Sequence, residues 1–284
     1  MSYRDLRDPT RRGVCLMALG LVAALSFVAG QARAAEDVWS ELKGDLYGDR
    51  VIHDGAEWLA LEAPYRAYDA AIVPIDIAAL WPQSATRFIK TITLVIDQNP
   101  APVAAVFRFG PRSGLASVST RVRVNAYSYV RAIAETNDGE LFMVSRFVKA
   151  SGGCSAPALK DQDQTLANLG KMRLRYFTPI PSANATPAQQ TVREAQLMIR
   201  HPNYSGLQMD QITRYYIPAY FVQEIEVRQG DDLILSVEGA ISISENPSVR
   251  FHFLSDGAAP INVRVQDTEE RTFTQSWPVS SPAS

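Results

Sequence analysis

Hydrophobic and polar positions alternate with a period of two over much of this chain, the pattern of strands that bury one face and wet the other. Between residues 89 and 148 five segments read this way: Ile89 to Ile96, Val103 to Phe109, Ser119 to Asn125, Ser128 to Glu135 and Leu141 to Val148. They are rich in β-branched and aromatic residues, and turn formers separate them: Asn99-Pro100-Ala101-Pro102, Gly110-Pro111-Arg112-Ser113-Gly114 and Asn137-Asp138-Gly139. Ile72 to Ile77 supplies a further strand, and Val38 to Leu46 a short helix at the entry. Arg121, Arg123 and Asn125 alternate with Val122 and Val124, which predicts a strand with its polar side chains in water.

The same signals return later in the chain. Ala195 to Arg200, Tyr220 to Val227, Leu233 to Val237, Val249 to Leu254, Ile261 to Gln266 and Thr272 to Trp277 read as strands. Gln229-Gly230-Asp231-Asp232 and Asp267-Thr268-Glu269-Glu270 read as hairpin turns. Between the two sets, residues 151–191 form a connector: Gly152-Gly153, the polar run Asp161-Gln162-Asp163-Gln164, and a Pro-, Ala-, Ser- and Thr-rich stretch from Thr178 to Gln190. Met172 to Phe177 adds a strand within it. The expected fold class is all-β, two immunoglobulin-like antiparallel β-sandwich domains in tandem, residues 35–150 and 192–284.

Residues 1–34 read as a secretory signal peptide. Arg4, Arg7, Arg11 and Arg12 form a basic head, Val14 to Val28 an apolar stretch, and Ala32-Arg33-Ala34 a cleavage site. Thr10-Arg11-Arg12-Gly13-Val14-Cys15-Leu16 resembles a twin-arginine signal, with an ordinary Sec signal as the other reading. Cleavage near Ala34 makes the mature protein periplasmic, with no membrane segment. The segment holds five arginines and two aspartates, so its removal turns the formal net charge of −2 into −5. A mildly acidic chain of this kind has no attraction for nucleic acid or anionic lipid.

The signal also takes Cys15 with it, and Cys154 is then a lone thiol with no disulfide partner. It lies in Ser151-Gly152-Gly153-Cys154-Ser155-Ala156-Pro157, a run that does not build a core strand. An accessible thiol here is a site for covalent attachment, and Gly152 and Gly153 are expected to act as a loop hinge. Other readings of Cys154 are a buried small hydrophobe and a Cys-His nucleophile with His53, His201 or His252. No spacing among these residues matches a metal site. Trp58, Trp81, Trp277, Tyr215, Tyr216 and Tyr220 are expected in cores and domain interfaces, and Asn99-Pro100 and Asn246-Pro247 as turns.

Several motifs, taken in order, resemble the sulfur-oxidation carrier SoxYZ with its two subunits joined in one chain. Ile96-Asp97-Gln98-Asn99-Pro100, Thr120-Arg121-Val122-Arg123, Asp138-Gly139 and Gly152-Gly153-Cys154 resemble SoxY. His201-Pro202-Asn203-Tyr204-Ser205-Gly206-Leu207, Ile217-Pro218-Ala219-Tyr220-Phe221-Val222 and Ser244-Glu245-Asn246-Pro247 resemble SoxZ. The resemblance implies a carrier with no catalysis and no cofactor of its own, a sulfur-containing cargo on Cys154, and periplasmic redox enzymes as partners. It is strongest to fused proteins associated with quinoprotein dehydrogenases. The alternative it implies is a non-covalent binding or maturation partner of such a PQQ-dependent enzyme. SoxY ends in Gly-Gly-Cys-Gly-Gly, whereas here Ser155-Ala156-Pro157 and a second domain follow, so the arm is a loop tethered at both ends.

Overall fold

The alternating segments become fifteen strands in two facing sheets in the computed structural model, which describes residues 38–81, 83–84, 86–157, 166–177, 192–254 and 259–279. The expected signal peptide, and the connector at 158–165 and 178–191, lie outside the described residues. Residues before Arg50 form one unit, in which a helix spans 38–47; none of the described helices is long and apolar enough to cross a membrane. Residues 50–284 form the other.

Within that larger unit the first half supplies β1 (Ile52–Asp54), β2 (Leu59–Glu62), β3 (Val73–Ala79), β4 (Ile89–Ile96), β5 (Val103–Phe109), β6 (Ser117–Val122), β7 (Ser128–Thr136) and β8 (Leu141–Val148). The second supplies β9 (Met172–Phe177), β10 (Val192–Ile199), β11 (Val222–Gln229), β12 (Asp232–Gly239), β13 (Ser248–Leu254), β14 (Ile261–Asp267) and β15 (Thr272–Trp277). Turn chemistry acts as read: Gln229 pairs with Asp232, and Gly230, at φ 58°, fills the first loop position of a two-residue hairpin.

The architecture is an immunoglobulin-like sandwich, and the two halves are not separate beads. One sheet runs β1-β8-β7-β4-β5-β12-β11-β14-β15, the other β2-β3-β6-β13-β10-β9. Both sheets therefore cross from one half to the other, through β5 against β12 and β6 against β13. Edge-to-edge pairing satisfies backbone groups that each half would otherwise expose at an open sheet edge. One apolar core extends under both, with Ile75, Ile92, Phe107 and Val118 from the first half and Leu197, Val237, Phe251 and Phe253 from the second.

One strand departs from its pattern in a way that matters below. β6 ends at Val122, and Arg123, expected in water, is 1 % exposed. Its backbone N–H leaves the sheet to bond Ser242 O in the second half at 2.7 Å, while Val124 N–H bonds Ala70 O at 2.8 Å. Arg121, also expected in water, is half-buried with its Nη2 donating to Asn246 O at 2.9 Å, and tertiary contacts cover the next polar position altogether.

Phe107 is fully buried where β5 meets both β4 and β12, opposite Ile92 and Val237. Phe107→Ala should destabilise residues 50–284 by about 3–5 kcal/mol. Because the sheets are continuous, urea unfolding followed by both tryptophan fluorescence and circular dichroism should give one shifted transition. Two separate transitions would contradict a shared core.

Candidate functional site

The loops that leave β6 and β8 converge with two loops of the second half. After β8, Lys149 N–H bonds Tyr65 O at 2.7 Å, and the chain then turns across the end of β6. Gly152 N–H bonds Asn125 O at 2.8 Å and Gly153 N–H bonds Val124 O at 3.0 Å. Gly152 sits at φ 77°, a conformation that a Cβ disfavours. A Cβ on Gly153 would lie 2.0 Å from Ala70 O and 2.7 Å from Val124 O, so only glycine lets the backbone pass. The Gly-Gly pair, expected as a hinge, in this structure lets the loop lie against the sheet end.

Cys154 is 0 % exposed, although Ser151 and Ser155 on either side of it are in water. The thiol expected to be accessible is tucked just beneath the surface. Burial pushes its pKa up, with the guanidinium of Arg123 acting in the opposite direction. The loop is strapped from the second half: Ser205 Oγ donates to Cys154 O, and Gln208 Nε2 donates to Ala156 O at 2.9 Å. Ser205 and Gln208 are themselves joined, Ser205 N–H bonding Gln208 Oε1 at 3.2 Å.

Arg123 connects the three chain segments. Its Nη1 donates to Gly153 O at 3.4 Å and its Nη2 to Asn203 O at 3.1 Å, and its Nε has no hydrogen-bond partner among the described residues. Burial pulls its pKa down, against the carboxylates of Glu245 and Asp69 and the nearby Cys154. Burial pushes Glu245 up, countered first by Arg123 and then by Arg121. Asn99, read as a turn former, is a buried clamp: its Nδ2 donates to Arg123 O at 2.7 Å and Ser242 Oγ at 2.9 Å, and its Oδ1 accepts from Asn125 N–H at 2.8 Å. The turn that carries it is anchored by a buried fork of Arg131 on Asp97, with Nε to Oδ1 at 2.9 Å and Nη2 to Oδ2 at 2.8 Å.

The second-half loop has its own buried anchor. His201 Nδ1 accepts from Asn203 N–H at 3.1 Å, which leaves the proton on Nε2, 3.6 Å from Asp267 Oδ2. Tyr220 donates its hydroxyl proton to that same oxygen at 2.7 Å, and Arg271 Nη1 donates to the Tyr220 oxygen at 2.9 Å. Burial pushes Tyr220 up, and burial pushes His201 down to about 4 with Asp267 opposing. His201 is thus engaged with Asn203 and Asp267. His252 faces partly outward between the buried Phe251 and Phe253 of β13, as its alternation predicts. Among the described residues no cluster of three or more His, Cys, Asp or Glu is placed to hold a metal.

Of the residues read from the sequence, Gly152, Gly153 and Cys154 come together as one loop, and the SoxZ-like motif supplies the strap over it. The sequence pattern did not point to Arg123, Asn99, Ser205 or Gln208 as site residues. Lys149, at the start of the loop, places its Nζ 4.9 Å from the Tyr65 ring centre, and Arg123 is the cation that bonds the cysteine loop, through Gly153 O. Trp58 and Trp81 pack edge to face, and Tyr220 is buried, as expected; Tyr215 and Tyr216 are exposed, contrary to expectation.

A thiol-bearing loop seated at the junction of two sandwich halves that share sheets defines a two-part, single-chain β-sandwich protein. The family model "Sulfur oxidation protein SoxY" matches residues 43–154 and "Sulphur oxidation protein SoxZ" matches residues 182–278, so the chain belongs to the SoxY and SoxZ families, fused in that order. Among solved structures it is similar to the sulfur carrier protein SoxY from Chlorobium limicola f thiosulfatophilum, at 22% identity and TM-score 0.34 over 41% of this chain and 94% of that one. A superoxide reductase (neelaredoxin) from Ignicoccus hospitalis follows at 17% identity and TM-score 0.30, over 34% of this chain and 81% of that one. At these scores the likenesses carry no functional argument. No curated protein matches.

The His201 anchor makes the junction acid-sensitive. An imidazole at 6.5 when unfolded and about 4 when folded binds its proton more readily in the unfolded chain. Its contribution is therefore complete above pH 6.5 and is lost as pH falls towards 4, on the order of 3 kcal/mol in all. Urea midpoints at pH 7.5 and 4.5 should fall more for the wild type than for His201→Gln. Parallel losses would contradict a buried neutral imidazole.

Proposed function

We propose that this protein is a periplasmic carrier that holds a sulfur-containing group covalently on Cys154 and presents it to partner enzymes. Membership of the SoxY and SoxZ families supports the carrier class. The observation that carries the finer reading is that the SoxY match runs through the first half and ends on Cys154 itself. Here that residue sits on a loop held by hydrogen bonds rather than in a core strand.

In the stowed form the thiol is shielded and burial pushes its pKa up, both of which slow its reaction. Release of the Ser205 and Gln208 straps exposes it, and its pKa returns towards the ordinary value of about 8.5. Loading is then a displacement. The thiol loses its proton to solvent, Sγ forms a bond to an electrophilic sulfur of the donor, and the leaving group departs with the electron pair of the broken bond. Segments held mainly by polar contacts open at low free energy relative to global unfolding, which suits a loop that works by release. Tethering at both ends limits the excursion to the length of the loop itself.

Intact-mass measurement on protein purified from its own host should find an adduct that a reductant removes and that is absent from Cys154→Ser. The Cys154→Ser variant should fold with an unchanged melting temperature and fail to support the host's oxidation of reduced sulfur. Full activity of that variant would contradict a carrier and favour the non-covalent partner of a quinoprotein dehydrogenase.

A further inference from the structure

The described strands leave four sheet edges, β1 and β15 on the nine-stranded sheet and β2 and β9 on the six-stranded one. An edge strand presents a row of unpaired backbone N–H and C=O groups, and proteins blunt such edges with short strands, charge or proline. Three of the edges follow that rule. β1 has 3 residues and ends on Asp54, β2 has 4 and ends on Glu62, and β9 carries Arg173 and Arg175. β15 is the exception: Thr272-Phe273-Thr274-Gln275-Ser276-Trp277 is 6 residues long, holds no charge, proline or glycine, and has no strand on its outer side among the described residues.

This edge is fixed along its length. β15 pairs with β14 from Gln266 opposite Thr272 to Ile261 opposite Trp277. Ser276 Oγ donates to Asn262 Oδ1 at 2.7 Å, and Tyr176 Oη donates to Pro278 O at 3.2 Å just beyond the strand. Phe273 packs so closely on Gly170 that a Cβ there would lie 1.9 Å from its ring. Phe273, Gln275 and Trp277 stand opposite the buried Val265, Val263 and Ile261, so these three share the inward face. Gln275 is nevertheless exposed, because the sandwich ends at this strand. The chemistry that completes such an edge is another strand, whose backbone supplies the missing hydrogen bonds.

We propose that β15 pairs antiparallel with β15 of a second copy of this chain, so that one sheet runs through both molecules. What selects a second copy is the self-complementarity of the strand. A two-fold axis perpendicular to the sheet sets inward residues opposite inward ones, so the pairing centres on a single residue. Centred on Gln275, it places Phe273 of each copy opposite Trp277 of the other and Thr274 opposite Ser276, with Gln275 facing its own equivalent. Aromatic pairs and hydroxyl pairs are favoured cross-strand partners, and no like charges meet. Centred on Thr274 instead, Phe273 would face Gln275 and Trp277 would face Arg271. The chain already uses the same device once, since antiparallel edge pairing of β5 with β12 and β6 with β13 joins its two halves. β11 and β14 separate β15 from that seam, so the pairing leaves the cysteine loop uncovered and the inference stands independently of the carrier reading. A contact this short makes a reversible dimer, with a dissociation constant on the order of micromolar.

The test is sedimentation velocity on the purified protein, kept reduced so that Cys154 cannot cross-link, beside Gln275→Lys and Gln275→Glu. The wild type should show a monomer–dimer equilibrium between about 1 and about 300 µM. Each variant sets two like charges against each other on the two-fold axis and should weaken the dimer about tenfold or more. Melting temperatures at low concentration should stay at the wild-type value, because the side chain is exposed. An equimolar mixture of the two variants sets lysine against glutamate and should dimerise at least as well as the wild type. A wild type that stays monomeric throughout overturns the proposal. A dimer that neither charge weakens lies elsewhere on the molecule and overturns it as well. Loss of the dimer in both variants without recovery in the mixture overturns the pairing centred on Gln275.

Discussion

The guanidinium of Arg123 is the interaction on which the junction depends. A buried charge is tolerated only where hydrogen bonds and opposite charges compensate its lost hydration, and removal of one partner of such a group costs about 3–5 kcal/mol. Arg123 meets that requirement by reaching at once to Gly153 O in the cysteine loop and Asn203 O in the second half, with Glu245 and Asp69 near enough to act on it. Neither half alone supplies both carbonyls. The position of the cysteine loop is therefore a property of the joined chain, and the fusion of the two halves keeps the strap always available.

Around that centre the other contacts form a consistent set. Asn99 holds the backbone of Arg123 and Asn125, Ser244 Oγ donates to Ala71 O at 2.7 Å, and Asn203 Oδ1 accepts from Val222 N–H at 3.1 Å. Each ties a loop of one half to a loop or strand beside the junction. The two sheets, continuous through β5·β12 and β6·β13, give these loops a rigid base. A loop held by a few polar contacts over a rigid base opens locally while the rest stays folded.

Much of the fold was legible in the sequence because period-two alternation reports directly on half-buried strands. β4, β5, β8, β9 and β15 fall where the pattern puts them, and the others apart from β1 and β2 differ by a few residues at their ends. β1 and β2 were not found: Ile52–Asp54 is too short to alternate, and Leu59–Glu62 has a composition equally fit for a helix. The continuity of the sheets was not legible either, since edge pairing between β5 and β12 depends on backbone groups that carry no residue code. At the site, Cys154 stood out by being alone and Gly152-Gly153 by composition. Arg123 did not, because one more polar residue in an alternating strand looks solvated until a second domain covers it. The burial of Cys154 is likewise a tertiary fact, and the loop that carries it is held by Ser205 and Gln208 from about fifty residues away.

The central claim is that the thiol is stowed by the second half and released from it. The most direct measurement is the alkylation rate of Cys154 at pH 8 in the folded protein, its Ser205→Ala/Gln208→Ala variant and the urea-unfolded chain. The account predicts that the folded wild type reacts far more slowly than the unfolded chain. Loss of two hydrogen bonds of about 1 kcal/mol each should raise the folded rate by about 10–100-fold with little change in melting temperature. A wild-type thiol that reacts as fast as the unfolded chain, or a double variant that stays as protected as the wild type, would contradict it.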